Sequence, residues 1–378
     1  MLIAVFTSSR SEYGHLQPLL RQLEASPDMD LRLLVGGAHL SDKFGRTKSV
    51  IVEDGFHIAA EFDFLEDPGT ENYLTRSLAK LQVQSGEWLS AHRPDWLVVI
   101  GDRFELLGIA SSSLLNHTPL AHISGGDITE GALDNQVRHA VSKLAHAHFP
   151  ATEAAKQMLL AMNEDEARIC RCGEPGLDQI KTMEFLDKEG LFGQFGLDSL
   201  LPTVLLTFHP DTLTHAIDGV FIQAIIQSLT ERHGFQVMAT GSNFDEGGDA
   251  INRKLREIAA SNPKVRFEMS LGQLRYYSML NHVKLMIGNS SSGMIEAQSF
   301  EVPVVNVGCR QEGRFSNPNV MNVPADVRAI NEALPNALGD SFRKAFAGKP
   351  NVYGDGNACT RIVEFLRSFP RQNILVKR

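Results

Sequence analysis

Thr203-Val204-Leu205-Leu206-Thr207-Phe208-His209, just past the middle of the chain, is a short run that is apolar on both alternating faces and stops at a polar residue. The chain opens the same way, with Leu2-Ile3-Ala4-Val5-Phe6-Thr7 ahead of Ser8-Ser9-Arg10. A strand apolar on both faces is covered on both faces, as in a parallel sheet between helices. Outward from the first run, Leu16, Leu19, Leu20 and Leu23 predict a helix and Leu31–Val35 a strand. A helix over 73–91, the strand Trp96–Ile100, a helix over 106–115 and the strand Leu120–Ile123 follow. A helix over 134–146 and the strand Ala147–Pro150 complete this half. From 203–209 the alternation restarts, with helices over 220–229, near 249–259, near 271–280 and over 291–300. Their strands are Phe235–Ala239, Val265–Phe267, Val283–Ile287 and Pro303–Val307. The fold class is therefore α/β, with two successive doubly wound parallel-sheet units. The polar, glycine-bearing stretch 185–202 separates them. The expected domains are 1–185 and 186–378, with a hinge near 185–200 and the final helix packing back on the first domain.

The length agrees: 378 residues at roughly 150 per domain gives about two. Hydrophobic residues at 43% and charged ones at 21% exclude a disordered or fibrous chain. A net charge of −9 argues against a nucleic-acid partner. An anionic ligand would have to be held by a few placed cations and backbone amides. Cys170, Cys172, Cys309 and Cys359 are too scattered for a disulfide framework, and Cys170-Arg171-Cys172 lacks zinc-site spacing. Buried free thiols are expected. The first residues lack a basic n-region, and every apolar run is shorter than the roughly 18–20 residues that span a bilayer. The reading is a soluble, cytoplasmic protein with no membrane partner.

Polar clusters fall immediately after the strands, where a doubly wound fold keeps its ligands and where paired domains make a cleft. After the first strand, Arg10 and the surrounding hydroxyls suit an anion near a helix N-terminus. The segment is neither a dinucleotide fingerprint nor a P-loop. Gly101-Asp102-Arg103-Phe104-Glu105 sets a carboxylate beside an arginine, which alone is also what a plain ion pair looks like. His122-Ile123-Ser124-Gly125-Gly126-Asp127 leads to Glu130, Asp134, Arg138 and His139, where crowded carboxylates raise one another's pKa. The glycine pair there would let a ligand approach the backbone. His139 and His146, seven apart on one helix face, read as core or interface residues rather than metal ligands. In the second half, His209, Gly241-Ser242-Asn243-Phe244-Asp245 and Gly288-Asn289-Ser290-Ser291-Ser292-Gly293 again follow strands. Glu296 and Arg310 lie shortly after. Small hydroxyl residues opening a helix suit a diphosphate.

Together with Phe208-His209-Pro210-Asp211-Thr212-Leu213 and Asp134-Asn135-Gln136-Val137-Arg138-His139, these motifs resemble the hydrolysing UDP-N-acetylglucosamine 2-epimerases, in the same order from about residue 1 to about 365. The resemblance implies a GT-B-like fold of two Rossmann-like domains, with the site in the cleft between them. It implies release of UDP with inversion at C2, by anti elimination through a 2-acetamidoglucal and addition of water. It implies no metal, no nicotinamide or other cofactor, and a homodimer or homotetramer. Carried over by position, Arg10, Arg103, His209, Asn243, Ser290, Ser291, Glu296 and Arg310 would hold the nucleotide and diphosphate. Glu296 would take the ribose, and the turn Ser290–Gly293 with Arg10 the phosphates. His209 would contact the diphosphate or help it leave. His122, Arg138, Asp245 and Gly293 join the substrate-binding set. Asp102 and Asp134 match acid/base carboxylates. Ser124 departs from members that carry Glu there, and Asp127 stands where others end the motif in Glu. Asp127 or Glu130 then takes that role, or the pocket is shaped for another sugar. The leading substrate is UDP-N-acetylglucosamine. The alternative is a UDP- or GDP-linked 2,4-diacetamido trideoxy hexose of legionaminic acid synthesis, and a more remote one is a GT-B glycosyltransferase.

Overall fold

The two apolar runs each become the centre of a sheet. The computed structural model describes residues 1–42, 46–67, 69–128, 133–210, 217–242 and 247–377. By internal contacts the chain divides into Met1–Lys181 with Tyr353–Arg378, and Thr182–Val352. This places residues 182–185 with the second unit and the last 26 residues (353–378) with the first.

In the first unit, β1 (Leu2–Thr7), β2 (Asp30–Gly36), β3 (Ile58–Phe62), β4 (Trp96–Ile100), β5 (Leu120–Ile123) and β6 (Ala147–Phe149) form one parallel sheet. Its order is β3-β2-β1-β4-β5-β6. Strand alternation sends Ile3 and Val5 to one face and Ala4 and Phe6 to the other, and all four are buried. The first face packs Leu16, Leu19, Leu20 and Leu23 of α1 (Arg10–Glu24). The helices α2 (Lys48–Glu53), α3 (Tyr73–His92), α4 (Leu106–Leu115), α5 (Leu133–Leu144), α6 (Glu153–Ala161) and α7 (Asp178–Thr182) follow. Leu81, Ile109, Val137 and Val141, from α3, α4 and α5, cover the second face.

In the second unit, β7 (Thr203–Thr207), β8 (Gln236–Thr240), β9 (Val265–Glu268), β10 (Leu285–Gly288), β11 (Val304–Val307) and β12 (Val320–Val323) pair in parallel. The order is β12-β11-β10-β7-β8-β9, the first sheet's order over again. Its helices are α8 (Lys188–Phe195), α9 (Gly219–Gln227), α10 (Gly248–Ser261), α11 (Gly272–His282), α12 (Ser291–Ile295), α13 (Val327–Ala337) and α14 (Asp340–Phe346). Val204, Leu206 and Phe208 pack against Ile222, Ile225, Leu255 and Leu334 on one face.

The stretch expected to serve as a hinge is instead largely the packed helix α8. Asp187 caps it at the Gly190 amide, and Leu191 and Phe192 are fully buried. Gly190 and Gly193 weaken its helical pattern in the sequence. The final helix, α15 (Ala358–Ser368), inserts Ile362, Val363 and Leu366 into the core beside α1. His146 lies past the end of α5, so it does not share a helix face with His139. It is buried, and its Nδ1 accepts from the Leu120 amide. Cys172 and Cys359 are buried, while Cys170 and Cys309 are partly exposed. No helix among the described residues is long and apolar enough to cross a membrane.

Candidate active site

Both sheets reverse winding direction between two adjacent strands, β1 and β4 in the first and β7 and β10 in the second. Ligands of doubly wound sheets bind at such switch points, beyond the strands' carboxyl ends. Each switch point here carries a cluster of predicted site residues.

In the first unit, β1 ends at the cap of α1. Ser9 caps the helix and Glu12 reaches back. Glu12 Oε2 accepts from the amides of Ser8 (2.7 Å) and Ser9 (3.2 Å). The helix start expected to cradle an external anion therefore already holds the carboxyl group of Glu12. Arg10, exposed in the first turn, remains as the cation of that turn.

The turn after β4 brings Asp102 to Arg138 of α5, whose Nη2 donates to Asp102 Oδ2. Arg138 Nη1 donates to the Asp127 carbonyl at 2.8 Å. Arg138 is 3% exposed and braces two strand-end turns. Asp102 keeps 25% of its side chain accessible. Arg103 donates from Nε to Glu105 Oε1 at 2.7 Å and keeps 44% of its side chain exposed. Asp134 lies in the first turn of α5, exposed, and close enough for its charge to act on Arg103.

His122 corrects the substrate-binding expectation. It is fully buried, its Nε2 pairs with the Gly101 carbonyl (2.8 Å), and its Nδ1 pairs with Ser142 Oγ (3.0 Å). Burial pushes its pKa down to about 4, so it stays neutral and ties the Asp102 turn to α5. The glycine pair also serves packing. A Cβ on Gly126, at φ +85, would meet the Ala155 carbonyl oxygen at 2.3 Å, and one on Gly125 would meet Ser142 Oγ at 2.7 Å. Ser124, at φ 61, donates to Glu174 Oε2 at 3.3 Å, and Glu174 Oε1 meets His15 at 3.0 Å. Sequence reading missed Glu174, because no local signal joins positions fifty apart. Glu12 did carry one, the serine–x–x–glutamate capping box. Asp127 is partly exposed at the edge of this group. Glu130 lies outside the described residues.

In the second unit, Asn289 locks the switch point. The His209 amide donates to Asn289 Oδ1 (2.7 Å), and Asn289 Nδ2 returns a bond to the His209 carbonyl (2.9 Å). Gly288, at φ +147, has no room for a side chain, since a Cβ would lie 1.8 Å from the Thr207 carbonyl oxygen. Arg310 Nη1 donates to the Asn289 carbonyl at 3.3 Å. Burial, and then the Arg310 charge, push His209 down to about 3, so its imidazole is neutral. Ser290 caps α12 and, with Ser291, is partly exposed. Gly293 is buried, its amide donating to the Ser290 carbonyl at 3.2 Å, and a Cβ there would press on Val304 at 2.9 Å. Glu296 is 8% exposed, and with burial its charge pushes the Tyr276 hydroxyl pKa up. Asn243 and Asp245 lie outside the described residues.

Residues 21–367 match the UDP-N-acetylglucosamine 2-epimerase family. The chain is 32% identical over 378 residues to the hydrolysing UDP-N,N'-diacetylbacillosamine 2-epimerase of Legionella pneumophila, covering 100% of this chain and 98% of that one. It is 32% identical over 343 residues to the GDP/UDP-N,N'-diacetylbacillosamine 2-epimerase (hydrolysing) of Campylobacter jejuni, covering 90% and 88%. The fold matches the crystal structure of UDP-N-acetylglucosamine 2-epimerase from Neisseria meningitidis bound to UDP-N-acetylglucosamine, with a TM-score of 0.83, 18% identity and coverage of 97% and 100%. The fold is thus the GT-B-like one of two doubly wound units, and the chain belongs to the UDP-N-acetylglucosamine 2-epimerase family.

Proposed function

We propose that the protein is a hydrolysing 2-epimerase that releases UDP from a UDP-linked 2-acetamido sugar and inverts C2. The observation that carries this is the Asp102 turn. A carboxylate one quarter exposed is fixed by a buried arginine beside Asp127, and Asp134 and two exposed arginines stand in the same unit. A base removes the C2 proton, the electron pair forms the C1–C2 double bond, and the C1–O bond breaks to release UDP. Water then gives its oxygen to C1, and a proton returns to C2 on the opposite face. Asp102, Asp127 and Asp134 are the described carboxylates for the two proton transfers. Arg10, Arg103 and Arg310 offset leaving-group charge. A neutral His209 donates an N–H to the diphosphate without adding a cation.

The sequence reading favoured UDP-N-acetylglucosamine. The two relatives at 32% identity move the preference to the 2,4-diacetamido sugar. UDP-N-acetylglucosamine stands second, supported by the 29% identity to the Neisseria meningitidis UDP-N-acetylglucosamine 2-epimerase. A panel of UDP-N,N'-diacetylbacillosamine, its GDP counterpart and UDP-N-acetylglucosamine decides this by kcat/KM for nucleotide release. The diacetamido UDP sugar should lead by at least about tenfold, the scale of one well-placed contact. A lead for UDP-N-acetylglucosamine would reverse the preference.

A further inference from the structure

Ser8 Oγ lies 2.8 Å from Glu12 Oε2 and 2.6 Å from Glu105 Oε1. A serine hydroxyl has one hydrogen and can donate to only one of these oxygens. The second short contact needs a hydrogen of its own, and a carboxyl group is its source. The surroundings agree. Glu12 is 8% exposed and Glu105 1%. Glu12 Oε1 and Glu105 Oε2 are buried without a hydrogen-bond partner among the described residues. One guanidinium serves both, with Arg103 Nε 2.7 Å from Glu105 Oε1 and 4.0 Å from Glu12 Oε1. Two full negative charges in such a place would be costly against one cation.

We propose that Glu12 and Glu105 share a proton and, through Ser8, latch the turns after β1 and β4 together, holding Arg103 in place for the anionic ligand. The coupling to ligand rests on the nucleotide reading above, whereas the shared proton does not. Burial first, and then the Glu105 charge, push Glu12 up to about 7, against the pull of Arg103. Among the described residues, the charge of Asp134 from α5 also acts on Arg103, and that of Arg103 on His39 from the turn after β2. Burial and then the Arg103 charge hold His39 neutral, at about 4. Below pH 7 the two glutamates carry one charge, which Arg103 balances. Above it a second charge appears beneath Arg103 and opposes a diphosphate. Glu12 and Glu105 are positioning residues, acting through Arg103.

Infrared spectroscopy of the unmodified protein tests the proton. At pH 6.5 exposed carboxyls are ionised, so a protonated-carboxyl carbonyl band that titrates near pH 7 reports the pair. Glu105→Gln and Glu12→Gln should each abolish it. Calorimetry with UDP tests the coupling. Affinity of the native protein should fall about fivefold more than that of Glu105→Gln between pH 6.5 and 8.5, the effect of one charge at several ångströms. The variant comparison cancels the titration of UDP itself. Absence of the band, or an equal pH dependence in native and variant proteins, overturns the proposal. A titrating band with no UDP binding at any pH overturns the nucleotide reading and the coupling, while the shared proton stands.

Discussion

Asp102 depends on Arg138 for its orientation, and the substitution to asparagine keeps the shape while removing the charge. Asp102→Asn should lower kcat by at least about 100-fold, the usual contribution of a positioned acid or base, while UDP affinity stays within about twofold. A collapse of UDP affinity in calorimetry would make Asp102 structural. His209 offers a separate check. With its pKa down at about 3 it does not titrate near neutrality, so the acid limb of kcat/KM between pH 5 and 7 should coincide in native protein and His209→Gln. A limb displaced in the variant would show that the imidazole carries the titration. Stability has two opposing slopes. Glu12 is raised from 4.5 to about 7, so its contribution is complete below pH 4.5 and lost as pH rises through 7. His122 is lowered from 6.5 to about 4, so its contribution is complete above 6.5 and lost as pH falls through 4. Urea midpoints across pH should show the alkaline slope flattened in Glu105→Gln. An unchanged slope would contradict the shared proton. At this scale the placement of Asp102, Arg103 and His209 just past strand ends was legible because apolar strands mark those ends. The burial of His122, Arg138 and Gly293 was not, since it is set by neighbours distant in the sequence.

At the scale of elements, the second unit's switch point is held by a turn without space for a side chain. Gly288→Ala should cost several kcal/mol, because the added Cβ overlaps the Thr207 carbonyl in a backbone conformation that non-glycine residues avoid. Gly14→Ala is the control. It lies within α1 with nothing within 4 Å of the new Cβ, and should gain roughly 0.5–1 kcal/mol from helix propensity. Denaturant unfolding of both variants checks the pair, and a stable Gly288→Ala would refute the packing account. The central strands β1, β4 and β5 were readable to the residue, because a strand buried on both faces is a continuous apolar run. The edge strands β3 and β12 were missed. They are short and only partly buried, so their side chains mix polar and apolar residues.

For the whole molecule, the chain returns after residue 352 to finish its first unit. Ile362, Val363 and Leu366 fill the core beside α1, and Arg367 pairs with Asp28 at 2.7 Å. Ending the chain at Val352 should expose that core, and melting followed by calorimetry should lose the first unit's transition. No periodicity links residue 362 to residue 20, so sequence reading could offer this return only as an expectation. Two doubly wound sheets of identical strand order, each with its charged groups at the switch point, suit a reaction on an anionic sugar nucleotide. Proton NMR of the reaction with UDP-N,N'-diacetylbacillosamine in D₂O tests this most directly. The account predicts free UDP without any added acceptor, and a released sugar of manno configuration with deuterium at C2. Retention of the original C2 proton, or UDP release only when a second sugar is supplied, would contradict it.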